Sequence, residues 1–170
     1  RPLMNETNNG AAMLTEETRN TIDHWVAKFP EDKKRSALIQ SLIAAQEQNG
    51  GWITAELTEA VAEYLELPPV WAHEVVSFYS MFFTEPVGRH KVNICTNISC
   101  WLNGAEDLVA HAEKKLGVTL GGTTGDGRIT LVREEECLAG CCGAPMAVVD
   151  GHYKENLDIE KLDALLDGLE

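Results

Sequence analysis

The chain has 170 residues, a formal net charge of −13, 44% apolar residues and 24% charged ones. That is enough for one domain, or for a domain with a small companion, and it is the composition of a globular protein rather than a disordered one. The acidic balance speaks against nucleic acid as a partner, because phosphate binding needs a basic face, and no apolar run approaches the length of a membrane span.

Residues 1–13 are polar, with Asn5, Asn8 and Asn9 clustered, and read as a disordered start. Arg1-Pro2-Leu3 ahead of Met4 reads as a processing remnant or an expression scar, and no basic stretch followed by an apolar core marks a secretory signal. From Thr15, an N-cap followed by Glu16 and Glu17, the residues Ile22, Trp25, Val26 and Phe29 recur at helical spacing until Pro30. A second helix is expected over Lys34 to Asn49 with Leu38, Ile39, Leu42 and Ile43 inward, stopped by Gly50-Gly51. Thr54 or Thr58 caps a third carrying Leu57, Val61, Tyr64 and Leu65. Pro68-Pro69 breaks it and opens a fourth with Ala72, Val75, Val76 and Tyr79 on one face. The aromatic end of that helix, Phe78, Tyr79, Phe82 and Phe83, reads as core, with a partner surface as the alternative. Residues 14–84 therefore form a four-helix bundle, and 85–90 a linker. His24 and His73 have no ligand-like companions.

Residues 91–170 follow a different pattern. Lys91-Val-Asn-Ile-Cys95 alternates as a strand, and Leu102 to Leu116 reads as a helix presenting Ala105, Leu108, Val109 and Ala112. Gly121-Gly-Thr-Thr-Gly125-Asp-Gly127 matches neither a P-loop nor a dinucleotide fingerprint and reads as an ordinary loop. Ile129 to Arg133 and Ala144 to Val149 are the next strands. Asp150-Gly151 is a hairpin turn into His152-Tyr153-Lys154, and a last helix over Asp158 to Leu169 carries Ile159, Leu162, Leu165 and Leu166. The class is α+β: a helical bundle, then a β-α-β-β-β-α unit.

All five cysteines lie in this second unit: Cys95, Cys100, Cys137, Cys141 and Cys142. An odd count without a secretory signal argues against a disulfide framework and for a reducing, cytoplasmic setting. They form a C-x4-C pair and a C-x3-C pair, with Cys142 left over. Four soft thiolates suit zinc or an iron–sulfur cluster. Structural zinc sites mostly use C-x2-C knuckles, so the wider loops favour a [2Fe–2S] cluster and leave zinc, disulfides and free thiols as alternatives. The flanking Ser99, Gly140, Gly143 and Ala144 are small enough to let backbone N–H groups approach sulfur. Glu134-Glu135-Glu136 reads as a solvated charge run that would lower a nearby cluster's potential. No Ser–His–Asp set, carboxylate pair or nucleotide loop suggests catalysis, and the C-x-x-C of a thioredoxin-type enzyme is missing.

The residues Val75-Val-Ser-Phe-Tyr-Ser-Met-Phe82, Cys95-x4-Cys100-Trp-Leu-Asn-Gly104, Thr123-Thr-Gly-Asp-Gly127, Glu136-Cys-Leu-Ala-Gly-Cys141 and Ala144-Pro-Met146 closely resemble the small, 24 kDa-type iron–sulfur subunits of NADH:quinone oxidoreductase, respiratory complex I. The resemblance implies a helical bundle followed by a thioredoxin-like [2Fe–2S] ferredoxin domain. It implies Cys95, Cys100, Cys137 and Cys141 as cluster ligands, and it departs from the family at Cys142, which would offer Cys137 a second mate at C-x4-C spacing. It further implies a one-electron carrier beside a larger partner subunit that binds NADH, FMN and a [4Fe–4S] cluster, in the peripheral arm of a membrane-bound complex, on the cytoplasmic side in a bacterium. The equivalent subunit of an NAD-linked hydrogenase or formate dehydrogenase, and a zinc-stabilised or thiol-redox module, are the alternative expectations.

Overall fold

The computed structural model describes residues 13–133 and 137–170. They divide into two compact units, one ending at Pro86 and one running Val87–Glu170. The acidic run Glu134–Glu136 and residues 1–12 lie outside the described residues.

Among the described residues, the first unit has the α-helices α1 (Glu16–Val26), α2 (Leu38–Gln48), α3 (Ala55–Tyr64) and α4 (Pro69–Phe78). α1 is capped by Thr15, whose hydroxyl accepts from the Thr18 N–H. Of the two candidate caps for α3, Thr54 is the cap, accepting from Leu57 N–H at 3.1 Å. Thr58 is buried inside the helix with its hydroxyl on the Thr54 carbonyl. The residues expected over Lys34 to Asn49 do not form one helix. Glu31–Ala37 is a 3-10 segment kinked at Lys33, and α2 begins only at Leu38. Tertiary contacts hold that segment off the helix axis: Arg35 stacks on Trp71, and Lys34 pairs with Glu66. Ile22, Leu38, Leu42, Ile53, Leu57, Val61, Leu65, Ala72 and Val76 interlock as the core, each large side chain supplying roughly 1.5–3 kcal/mol of burial.

The aromatic end of α4 is not all core. Phe82 is buried, but Phe78 is 78% exposed and Tyr79 39%. The cause is Gln46, itself buried. Its amide donates to the Met81 carbonyl and accepts from Phe83 N–H at 2.8 Å, turning Phe82 inward and leaving the end of the helix outside.

The second unit is a four-stranded sheet of order β2-β1-β3-β4, formed by β1 (His90–Ile94), β2 (Ile129–Val132), β3 (Ala147–Val149) and β4 (His152–Lys154). β1 pairs parallel with β2 and antiparallel with β3, which pairs antiparallel with β4. The β3–β4 turn is Asp150-Gly151, both at positive φ (50° and 82°), the geometry that matches strand twist. The single helix expected from Leu102 is two, α5 (Ile98–Leu102) and α6 (Ala105–Leu116), because Gly104 turns left-handed between them at φ 86°. The last helix, α7 (Ile159–Asp167), is capped by Asp158 and buries Leu162 and Leu166, while Ile159 is exposed. These leucines join Val92, Ile94, Leu108, Ala112, Ile129 and Leu131 in one core. The glycine-rich loop before β2 folds back on that strand, with Gly121 N–H on the Leu131 carbonyl and Leu131 N–H on the Gly122 carbonyl.

Two features of this sheet position the cysteines. β1 and β2 are parallel neighbours, with Asn93 opposite Val132, so the loops that follow them leave the same end of the sheet. The second loop then re-enters as β3 beside β1, where Cys95 N–H donates to the Met146 carbonyl at 3.0 Å.

Candidate metal centre

Cys95 follows β1 directly, and Cys100 is carried by α5, whose start is capped by Asn97. Both are at most 2% exposed and share an apolar nest with Ala105 and Met146, flanked by Leu138, Ala144 and Val148. Cys137, Cys141 and Cys142 follow β2 and are exposed. All five are free thiols. Cys137 Sγ lies 3.4 Å from Cys141 Sγ, well beyond the ~2.05 Å of a disulfide. Cys141 and Cys142 open a short 3-10 turn, Cys141–Gly143.

Cys100 feels charge from both loops. Burial is the main reason its thiol is pushed up to about 11. The Met146 N–H on its sulfur partly offsets that, and Cys95 and Cys141 both push it further. Cys100 thus has its own mate within hydrogen-bond reach and the second loop's Cys141 close enough to act on its charge. A thiol so placed is protonated at neutral pH until a metal ion takes the proton's place, so loading this site releases protons.

The donor set is four soft thiolates, with no His, Asp or Glu among the candidate ligands. The thiols come as two pairs, one buried and one exposed, a set that suits two irons each taking two soft sulfurs. Backbone donors complete the fit. Ala139 N–H points at Cys137 Sγ (3.4 Å) and Met146 N–H at Cys100, and such bonds favour the charged thiolate.

The small residues of the second loop also have a packing role. A Cβ on Gly140 would lie 2.8 Å from Met146 Cε, and one on Gly143 would lie 2.6 Å from the Glu155 side chain. Their size lets the loop pack on Met146, just before β3, and on Glu155, just after β4. Ala139 and Met146 direct N–H groups at sulfur. Ala139 achieves this at φ 62°, a left-handed conformation uncommon for a residue with a Cβ. Tyr153, whose hydroxyl donates to the Leu138 carbonyl at 2.9 Å, and Glu155 also belong to the site. Nothing in the strand pattern of β4 singles them out.

Comparisons with known proteins agree with this chemistry. Residues 22–170 match the model of the thioredoxin-like [2Fe-2S] ferredoxin family. The chain is 43% identical over 148 residues to the E subunit of the NADH-quinone oxidoreductase of Rickettsia felis, covering 87% of this chain and 88% of that one. It is 38% identical over 154 residues to the mitochondrial NADH dehydrogenase [ubiquinone] flavoprotein 2 of Dictyostelium discoideum, covering 91% of this chain and 62% of that protein. A solved NAD+-reducing [NiFe]-hydrogenase in the air-oxidised state aligns with a TM-score of 0.61 at 26% identity. That match covers 74% of this chain, which spans only 22% of the hydrogenase chain. Among the described residues no helix is long and apolar enough to cross a membrane. Two thiol pairs that follow neighbouring parallel strands and a family match across nearly the whole length lead to one conclusion: the chain belongs to the thioredoxin-like [2Fe-2S] ferredoxin family.

Proposed function

We propose that this chain is the one-electron carrier subunit of the NADH-oxidising module of an NADH:quinone oxidoreductase, with Cys95, Cys100, Cys137 and Cys141 as its cluster ligands. The observation that carries the reading is the pairing of thiols: Cys95 with Cys100 in an apolar nest, and Cys137 with Cys141 at 3.4 Å on the surface. The 43% identity to a subunit of an NADH-quinone oxidoreductase supports the choice of complex. A [2Fe-2S] cluster, when bound, supplies storage for a single electron.

The chain's own groups do the rest. Cys95 and Cys100 would hold one iron and Cys137 and Cys141 the other. The nest of Ala105, Met146, Leu138 and Ala144 keeps water from the first pair, and the Ala139 and Met146 N–H groups stabilise thiolate charge. A [2Fe–2S] cluster takes one electron at a time and cannot accept a hydride, so NADH and FMN would belong to a larger partner subunit carrying its own [4Fe–4S] cluster. The assembly would form the peripheral arm of a membrane-bound complex on its cytoplasmic side. A second reading, the equivalent subunit of an NAD-linked hydrogenase, is favoured by the solved neighbour.

Anaerobic reconstitution of the purified chain with iron and sulfide tests the core of this. Two irons and two sulfides per chain, visible charge-transfer bands and a reduced-state EPR signal are expected. One tightly held zinc and no colour would overturn it. Co-purification with an FMN-containing subunit, tested for quinone-linked against hydrogen-linked NADH turnover, separates the two host complexes.

A further inference from the structure

The exposed thiol pair sits on a loop whose conformation is set by a single peptide unit. Leu138 and Ala139 share that unit: the Leu138 carbonyl is its acceptor end and the Ala139 N–H its donor end. The carbonyl accepts from the Tyr153 hydroxyl at 2.9 Å, and the N–H points at Cys137 Sγ at 3.4 Å. Ala144–Pro145 is the only cis bond among the described residues, so the 138–139 unit is trans, and its C=O and N–H point in opposite directions from one rigid plane. Fixing one end therefore aims the other. A hydrogen bond accepted by the carbonyl also polarises the amide and makes its N–H a stronger donor.

The left-handed Ala139 is the residue that needs such a restraint. At φ 62° with a Cβ, it sits in a sparsely populated region that persists only when its surroundings enforce it. Two further bonds tie the rest of the loop to the same side: Asn156 N–H to the Gly143 carbonyl (2.7 Å) and Leu157 N–H to the Pro145 carbonyl (2.8 Å). Both act beyond Cys141. Between Cys137 and Cys141 the tether is Tyr153, which stands on β4 with its backbone paired opposite Val148.

We propose that Tyr153 is a positioning residue for the cluster: through the Leu138–Ala139 peptide its hydroxyl holds the Cys137–Cys141 pair together and sets the strength of the N–H···S bond on Cys137. The inference rests on the cysteine assignment given under Proposed function. Hydrogen bonds to cluster sulfurs stabilise the more negative, reduced form and raise the reduction potential. Weakening this bond lowers the potential, and strengthening it raises it.

The test uses the full chain reconstituted with iron and sulfide, as wild type, as Tyr153→Phe, and with a ring-fluorinated tyrosine at position 153, whose hydroxyl is the stronger donor. His152→Ala, a neighbouring change on the exposed β4, serves as control. Tyr153→Phe is expected to shift the potential negative and to speed bleaching by a chelator about five-fold, the factor a net hydrogen bond carries. The fluorinated residue is expected to shift the potential positive. His152→Ala should change neither. Equal potentials and bleaching rates in wild type, Tyr153→Phe and the fluorinated protein would overturn the proposal, as would shifts of the same sign in both variants or an equal shift in His152→Ala. A wild-type chain that takes up no iron and sulfide would instead sink the cysteine assignment, a result that the wild-type spectrum alone reveals.

Discussion

Nδ1 of His90 lies 2.7 Å from Oδ2 of Asp150, across the end of the sheet away from the cysteines. The other ring nitrogen lies 2.8 Å from the Glu170 carbonyl. Both neighbours can only accept, so satisfying both requires a doubly protonated ring. The hydrogen bond to Asp150 is the main cause that raises the His90 pKa. The Glu170 carbonyl and the Asp150 charge add to it, while desolvation and the nearby Arg89 oppose it. A folded-state pKa above the unfolded value gives stability that is complete below about pH 6.5 and is lost as pH rises through the folded value. The thermal midpoint should therefore fall on going from pH 6 to pH 9, and His90→Gln should flatten that part of the profile. The contact is partly exposed, so the expected change is at most on the order of 1 kcal/mol, about 2–4 °C. A profile identical in His90→Gln would remove the assignment.

Acid acts through different groups. The hydrogen bond from His111 is the largest cause lowering the Asp163 pKa, and Lys115 adds to it. A backbone N–H of Lys161 does the same for Asp158, the cap of α7. Lowered carboxylate pKa values give stability present above about pH 4 and lost as pH falls through the folded values. Asp158→Asn, which still caps a helix but cannot titrate, should lose less stability than wild type between pH 5 and pH 2, measured by chemical denaturation.

Cys137 has two neighbours to choose from, Cys141 and Cys142, and the short sulfur pair is with Cys141. Cys142→Ser should leave iron content, visible bands and the EPR line shape of the reconstituted chain unchanged. Cys141→Ser should lose most of the visible absorbance or shift the EPR signal. The opposite pattern would make Cys142 the ligand.

Gly143 leaves no room for a side chain. Its Cβ would stand 2.6 Å from Glu155 Cβ, an atom fixed by its own backbone. Gly143→Ala should cost about 1–3 kcal/mol by overpacking and speed cluster loss. Removing the obstacle with Glu155→Gly in the same chain should recover part of both, a non-additivity that a double-mutant cycle measures.

Thr54, the cap of α3, gives a local test in the helical unit. Thr54→Ala leaves Leu57 N–H without its acceptor and should cost about 1 kcal/mol. Thr54→Ser, which keeps the acceptor, should cost less. A Thr54→Ala chain as stable as wild type would mean that the capping bond contributes nothing.

Much of this protein is legible one residue at a time, because local rules act over a few positions. Thr15 and the spacing of Ile22, Trp25 and Val26 announce α1, Pro69 opens α4, and Asp150-Gly151 can hardly be anything but a hairpin turn. The two cysteine spacings mark out the candidate site and favour two irons over one zinc. What the sequence alone does not decide depends on atoms brought together from far apart in the chain. Gln46 determines which aromatics of the 78–83 stretch are buried, from more than thirty residues away. Arg35 on Trp71 and Lys34 on Glu66 delay the start of α2. Spacing leaves both Cys141 and Cys142 open as the mate of Cys137. The closeness of Cys141 comes from a left-handed Ala139 whose peptide is held by Tyr153, and from loops that leave one end of the sheet because β1 and β2 run parallel. Sequence periodicity reports which face of an element is apolar. Only the folded chain says which backbone amide ends up against which sulfur.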